Sequence, residues 1–499
     1  MRQQLETAVG QVPARRNMPS HPDDRYREEL PMELDPVILS RIQFGFVVSF
    51  HAVFPVFTIG LASYVALLHG LYYKTGNAAW DRLAAFWVKV FAVVFAMGVV
   101  SGIVMAFQFG TNWSNFSYAS SNFIGPMLSY EVVTAFFLEA GFLGVLLFGR
   151  GKVPEGVHLF AALMVALGTF ISAFWILSTN SWMQTPAGVE MVDGHFFVKD
   201  WAAAIFNASL PYRFAHMAIA SFLTGGFVVA GVSAWYLLIG RDVDANKRAL
   251  SMCMWLLLVL APAQAVVGDM HGINTLEHQP TKVAAMEGNW ETQSGAPLLL
   301  FAWPDKEAQM NHFEIAIPKL ASLILTHDPD GVVPGLKEVA PDKQPPVWFV
   351  FWSFRVMVAM GLLMIAVAFI GVFLRRDGKL YRSRPFLQTL RLMSIAPFFA
   401  VLAGWFVTEA GRSPWLVYEM MTQQEAVTPS LTGWMVLTTL IGYFLVYLVV
   451  FVTGSYYLTR VIRGGMQPEL PHDDVETAMR PLSAAHESLD DDASRTVRS

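Results

Sequence analysis

The chain has 499 residues, of which 54% are hydrophobic and only 15% charged, with a formal net charge of -5. At this length such a composition excludes a water-soluble enzyme, which needs a larger polar surface, and no nucleic acid is expected as a partner. The single cysteine, Cys253, excludes an intrachain disulfide, a CxxCH haem-attachment site and a cysteine-ligated cluster.

Residues 1–36 mix arginines with acids and lack the apolar core of a secretory signal, so they read as a polar N-terminal extension. Apolar runs long enough to span a bilayer centre on 37–71, 84–107, 126–148, 157–177, 214–239, 250–267, 347–374, 392–407 and 431–458. They predict an all-α integral membrane protein with about nine transmembrane helices. Helices 1–6 fall within 37–271, a hydrophilic connection occupies 272–346, helices 7–9 fall within 347–462, and 463–499 is a polar, Ser/Asp-rich tail.

The short connections "GRGKVPEG", "GRDVDANKR" and "RRDGKLYRSRP" are basic, whereas 108–125 carries no Lys or Arg. The positive-inside rule puts the basic set in the cytoplasm. With an odd helix count, the N-terminus and the 272–346 connection then lie outside and the tail inside.

Ionisable side chains at bilayer depth cost about 2.5–3.5 kcal/mol each, and they are usually paired, ligated or on a proton path. His51 lies well inside the first apolar run, ten residues after Arg41, and His216 inside the fifth. Glu131 and Glu139 stand eight residues apart on one run, a spacing that suits a proton relay. Met357 follows Arg355 by two residues, and Glu409 ends the run "GWFVTEAGRSPW" three residues before Arg412. His69, His158 and His195 are expected to face headgroups or water.

Imidazole, thioether and carboxylate on separate helices suit axial haem ligation, and haem carboxylates favour arginine partners such as Arg41, Arg355 or Arg412. A haem–copper oxidase is excluded by the lack of a His-His pair. A haem-free, ion-coupled secondary transporter is the alternative, but the chain shows no inverted repeat to support it. A purely haem-anchoring subunit would not need His51, Glu409 and the paired glutamates.

The phrases "LSRIQFGF", "FQFGTNWSNFS", "AFFLEAGFLG", "NSWMQTP", "GVSAWYLLIGRD", "QPTKVAAMEGNWETQ", "FRVMVAMG" and "GWFVTEAGRSPW" stand in an order and spacing that resembles subunit I of the cytochrome bd-type quinol oxidases. The resemblance implies that His216 and Met357 ligate a low-spin haem b beside Arg355. It also implies that His51 and Glu409 ligate two high-spin haems, one b and one d or a further b. Glu131 and Glu139 would supply protons near the oxygen site, and Lys282 and Glu287 would belong to the quinol-binding part of the outer connection, on roughly one side of a helical segment. Arg412 would offset a haem carboxylate. The implied activity is quinol oxidation outside and reduction of dioxygen to water with cytoplasmic protons, electrogenic without pumping, in a prokaryotic cytoplasmic membrane. Implied partners are a second integral-membrane oxidase subunit and a small single-helix subunit. Ser413, where the family phrase usually has Gln, and the short outer connection resemble the cyanide-insensitive branch.

Overall fold

The computed structural model describes residues 34–466, so the expected extension up to residue 33 and the tail beyond residue 466 lie outside the described residues. Among the described residues, nine helical stretches are long and apolar enough to cross a membrane, the number the apolar runs predict.

Helix α1 (Pro36–Thr75) starts where the Asp35 carboxylate accepts the Val37 and Ile38 backbone N–H groups, with Pro36 in its first turn, and it stops at Gly76 in the left-handed conformation. Asn77 caps α2 (Ala78–Thr111). The short α3 (Ser114–Ser120) leads to α4 (Ile124–Glu131), which continues through a π turn (Val132–Phe136) into α5 (Phe137–Phe148). Helix α6 (Glu155–Gln184) follows, then an antiparallel hairpin of Val189–Val192 with His195–Val198, α7 (Trp201–Ile205), α8 (Leu210–Ile239), α9 (Val243–His278) and α10 (Pro280–Glu287). A second hairpin pairs Leu298–Asp305 with Met310–Ile317 ahead of α11 (Leu320–Thr326). The described residues close with α12 (Val347–Phe373), α13 (Arg384–Met393), α14 (Ala396–Ala410), α15 (Gln423–Ala426) and α16 (Gly433–Gly464).

At 1.5 Å per residue, the 40 residues of α1 extend about 60 Å, twice the hydrocarbon thickness of about 30 Å. Such helices run on past the apolar stretch that predicts them. Helix α9 accordingly continues to His278, beyond the expected start of the hydrophilic connection at 272, because backbone hydrogen bonding persists after hydropathy falls.

The same overshoot corrects the expectation for two histidines. His69 and His158 are only 4% and 8% exposed and meet edge to face with ring centroids 4.6 Å apart, while His158 Nε2 lies 3.1 Å from the Leu146 carbonyl oxygen. Near the helix ends they face one another instead of headgroups. His195 lies in the first hairpin with its ring against Tyr118.

Small residues set the depth relation between α1 and α8. A Cβ on Gly60 would strike the Ser221 carbonyl, and one on Gly225 would fall 3.2 Å from the Gly60 Cα. This close crossing fixes α1 against α8 and thereby relates the positions of His51 and His216.

Candidate functional site

The turn after α14 builds a buried charged cluster. Glu409 Oε2 accepts from Arg412 Nη2 at 2.6 Å, and its Oε1 accepts from Asn180 Nδ2 at 2.9 Å and Gln184 Nε2 at 3.5 Å. Lys282 Nζ donates to Gln184 Oε1 at 2.6 Å, and Arg213 donates to Asn180 Oδ1. Arg412, Lys282 and Arg213 are 3%, 4% and 7% exposed. Three basic side chains thus surround one carboxylate. Burial, followed by the neighbouring charges of Arg213 and Arg412, lowers the Lys282 pKa well below the ordinary lysine value.

Arg412 Nε and Nη1 and Arg213 Nε are buried without a hydrogen-bond partner among the described residues. Buried donors of this kind call for acceptors, and surplus buried positive charge calls for anions. From α1, Arg41 Nη2 reaches the same turn and donates to Ser413 Oγ at 3.1 Å, beside Gln423, which donates to the same oxygen. A cavity of about 320 Å³ adjoins the cluster, lined among others by Lys282, Lys343, Arg412 and Tyr418.

The two candidate histidine ligands share one packing device. A Cβ on Gly102 of α2 would come within 3.0 Å of His51 Cε1, and one on Gly268 of α9 within 3.1 Å of His216 Cε1, so each ring rests on a glycine of the following helix. Gly404 of α14 does the same for Met357, whose sulfur would lie 2.8 Å from a Cβ there. His51 Nδ1 meets Ser101 Oγ at 3.0 Å, whereas His216 Nδ1 is buried without a hydrogen-bond partner among the described residues, with the His271 ring 5.7 Å away.

Arg355 joins α12 to the outer connection. Its Nη2 donates to Glu287 Oε2 at 2.8 Å, its Nε donates to the Leu299 carbonyl at 2.6 Å, and its guanidinium lies 4.5 Å from the Phe351 ring centroid. Lys282 and Glu287 therefore have separate partners, contrary to the expectation of one shared side. Five residues turn an α-helix by about 500°, which leaves two side chains about 140° apart.

Glu131 and Glu139 do share a face. Eight residues make about 2.2 α-turns, and the intervening i→i+5 turn brings that closer to two. Glu131 Oε1 accepts from Ser172 Oγ at 2.7 Å, and Glu139, 6% exposed, packs its Cγ where a Cβ on Gly168 would sit. Ser172 and Gly168 are neighbours one turn apart on α6.

Arg213, Asn180, Gln184 and Ser101 escape a reading of candidate residues from sequence alone. Arg213 carried a usable signal, being an arginine three residues before His216 in an apolar stretch. The other three are short or neutral polar residues whose partners are remote in the chain.

The residues fit haem. Among the described residues no group of three or more His, Cys, Asp or Glu is placed to hold a metal ion. The unpartnered guanidinium nitrogens match haem carboxylates in charge and donor type.

A sequence model of the family "Cytochrome bd terminal oxidase subunit I" matches residues 39–466. The chain is 35% identical over 461 residues to cytochrome bd ubiquinol oxidase subunit 1 of Bacillus subtilis (strain 168), covering 90% of this chain and 98% of the relative. It is 31% identical to cytochrome bd-II ubiquinol oxidase subunit 1 of Escherichia coli (strain K12), covering 88% and 99%. Its fold matches the structure of bd oxidase from Geobacillus thermodenitrificans with a TM-score of 0.80 at 30% identity, covering 87% of this chain and 99% of that one. The chain belongs to the cytochrome bd terminal oxidase subunit I family.

Proposed function

We propose that this chain is the haem-carrying catalytic subunit of a quinol oxidase that reduces dioxygen to water. The observation that carries the reading is the buried cluster of Glu409 with Arg412, Arg213 and Lys282, whose unpartnered guanidinium nitrogens suit bound carboxylates. In this reading His216 and Met357 hold a low-spin haem b, and His51 and Glu409 hold two high-spin haems, one b and one d or a further b. Bound haem supplies the one-electron redox chemistry and the iron that binds oxygen.

The chain's own residues supply positions and protons. Glu287, held by Arg355 at 2.8 Å, acts as the base that accepts a quinol proton at the outer connection. Lys282 belongs to the same quinol-binding segment and compensates Glu409. Glu131, hydrogen-bonded to Ser172, and Glu139 on the same face pass cytoplasmic protons toward the oxygen site. Protons leave outside and enter from inside, so turnover is electrogenic without a pump. The basic connections support a cytoplasmic tail and an outer quinol segment in a prokaryotic cytoplasmic membrane. The subunit numbering of the relatives supports assembly with a second integral-membrane subunit, and a small single-helix subunit completes the proposed complex.

Replacing His216 with Ala or Met357 with Leu is expected to abolish the low-spin optical signal and quinol oxidation while a high-spin signal remains. A wild-type low-spin spectrum in either variant would refute that assignment. Glu287→Gln is expected to slow quinol turnover with little change in the haem spectra, and unchanged quinol kinetics would remove Glu287 from the reaction.

A further inference from the structure

One ring nitrogen of His51 is already engaged by a group whose proton is committed elsewhere. Ser101 Oγ donates to the Gly98 carbonyl oxygen at 2.9 Å and lies 3.0 Å from His51 Nδ1. A serine hydroxyl carries a single proton, so toward the ring this oxygen is left as an acceptor. The tautomer that satisfies both contacts carries its proton on Nδ1, and the lone pair of the neutral ring then falls on Nε2.

The surroundings hold Ser101 in this role. Ser101 is 0% exposed, and the Tyr447 hydroxyl of α16 donates to its carbonyl oxygen at 3.1 Å. The Tyr447 ring in turn stacks on Phe50, next in the chain to His51, with centroids 4.3 Å apart. Gly102 leaves the space beside Cε1 that the ring occupies. Helix α2 thus meets the imidazole through Ser101 and Gly102, and α16 holds the Ser101 backbone and the Phe50 ring beside it.

We propose that Ser101 is the positioning residue of the His51 site, fixing the tautomer and ring plane that present Nε2 to a high-spin haem iron. This rests on the reading of His51 as a haem ligand. A hydrogen bond at the distal nitrogen orients a metal-bound imidazole and raises its basicity, and losing such a partner typically weakens metal retention by about 10–100-fold. Tyr447 acts one step further out, by holding the Ser101 backbone.

The test uses the purified whole oxidase complex and two readouts besides turnover, the iron–histidine stretching band in resonance Raman spectra of the reduced protein and the rate of high-spin haem loss. Ser101→Ala is expected to shift the band to lower frequency and speed haem loss about 10-fold. Ser101→Thr, which keeps the hydroxyl, is expected to hold the wild-type frequency, and His51→Ala to remove the band. If His51→Ala removes the band but Ser101→Ala leaves frequency and haem retention unchanged, Ser101 merely packs and the proposal fails. If Ser101→Ala does not assemble, Tyr447→Phe takes its place: a smaller shift in the same direction supports the proposal and an unchanged band overturns it. A band that survives His51→Ala overturns the ligand reading itself.

Discussion

His51 and His216 are held alike at one end of the ring and differently at the other. Each places Cε1 against a glycine of the next helix, Gly102 or Gly268, where a Cβ would come within 3.0 or 3.1 Å. At Nδ1 they part, since His51 has Ser101 as a partner while His216 is buried there with none among the described residues. The difference follows from what opposes each ring in the proposed assignment. In that assignment His216 would share its iron with Met357, whereas His51 would be the sole protein ligand of its haem and would rely on a neighbour to fix its tautomer and plane. Glyine-sized gaps decide where a ring can go, and the hydrogen bond decides what it presents.

Glu409 extends the comparison, because its partners are supplied almost entirely by cations and amides of the chain. Glu409→Ala is the largest expected effect. It leaves Arg412, Arg213 and Lys282 without their carboxylate, and breaking a buried pair in this way costs about 3–5 kcal/mol. A thermal midpoint of the assembled complex equal to wild type would show that the cluster is not held together by that charge.

The glycine contacts come next. Gly268→Val and Gly102→Val each force an overpacked contact costing about 1–3 kcal/mol. The first is expected to deplete the low-spin signal and the second a high-spin signal, read from optical spectra of the two purified variants. If both variants deplete the same signal, the two histidines do not serve separate haems.

Tyr447→Phe is the smallest change, removing one hydrogen bond worth about 0.5–1.5 kcal/mol. Thermal unfolding should register that loss while the His216 site keeps its spectrum. A changed low-spin spectrum would mean that the two sites are coupled through α16.

The number of spans and the candidate side chains are legible in the sequence. Long apolar runs predict nine spans, and charged or ligand-capable side chains inside them single out His51, His216, Glu131, Glu139, Arg355, Met357 and Glu409. Partner choice was not legible, because periodicity reports which face a residue occupies and not which helix covers it. Arg41 and Ser413 meet across 372 residues and Asn180 and Glu409 across 229. The π turn that aligns Glu131 with Glu139 has no simple residue signature, and the helical phase that separates Lys282 from Glu287 only becomes decisive once α10 is known to be regular. The buried His69–His158 contact was missed because hydropathy marks the edge of the hydrocarbon and not the end of a helix.

The most direct test of the account is a dithionite-reduced minus oxidised optical spectrum of the purified complex, with the extracted haem identified chemically. The expected result is a low-spin haem b signal together with high-spin signals, and a chlorin band where the third haem is d. A complex that assembles and contains no haem would contradict it.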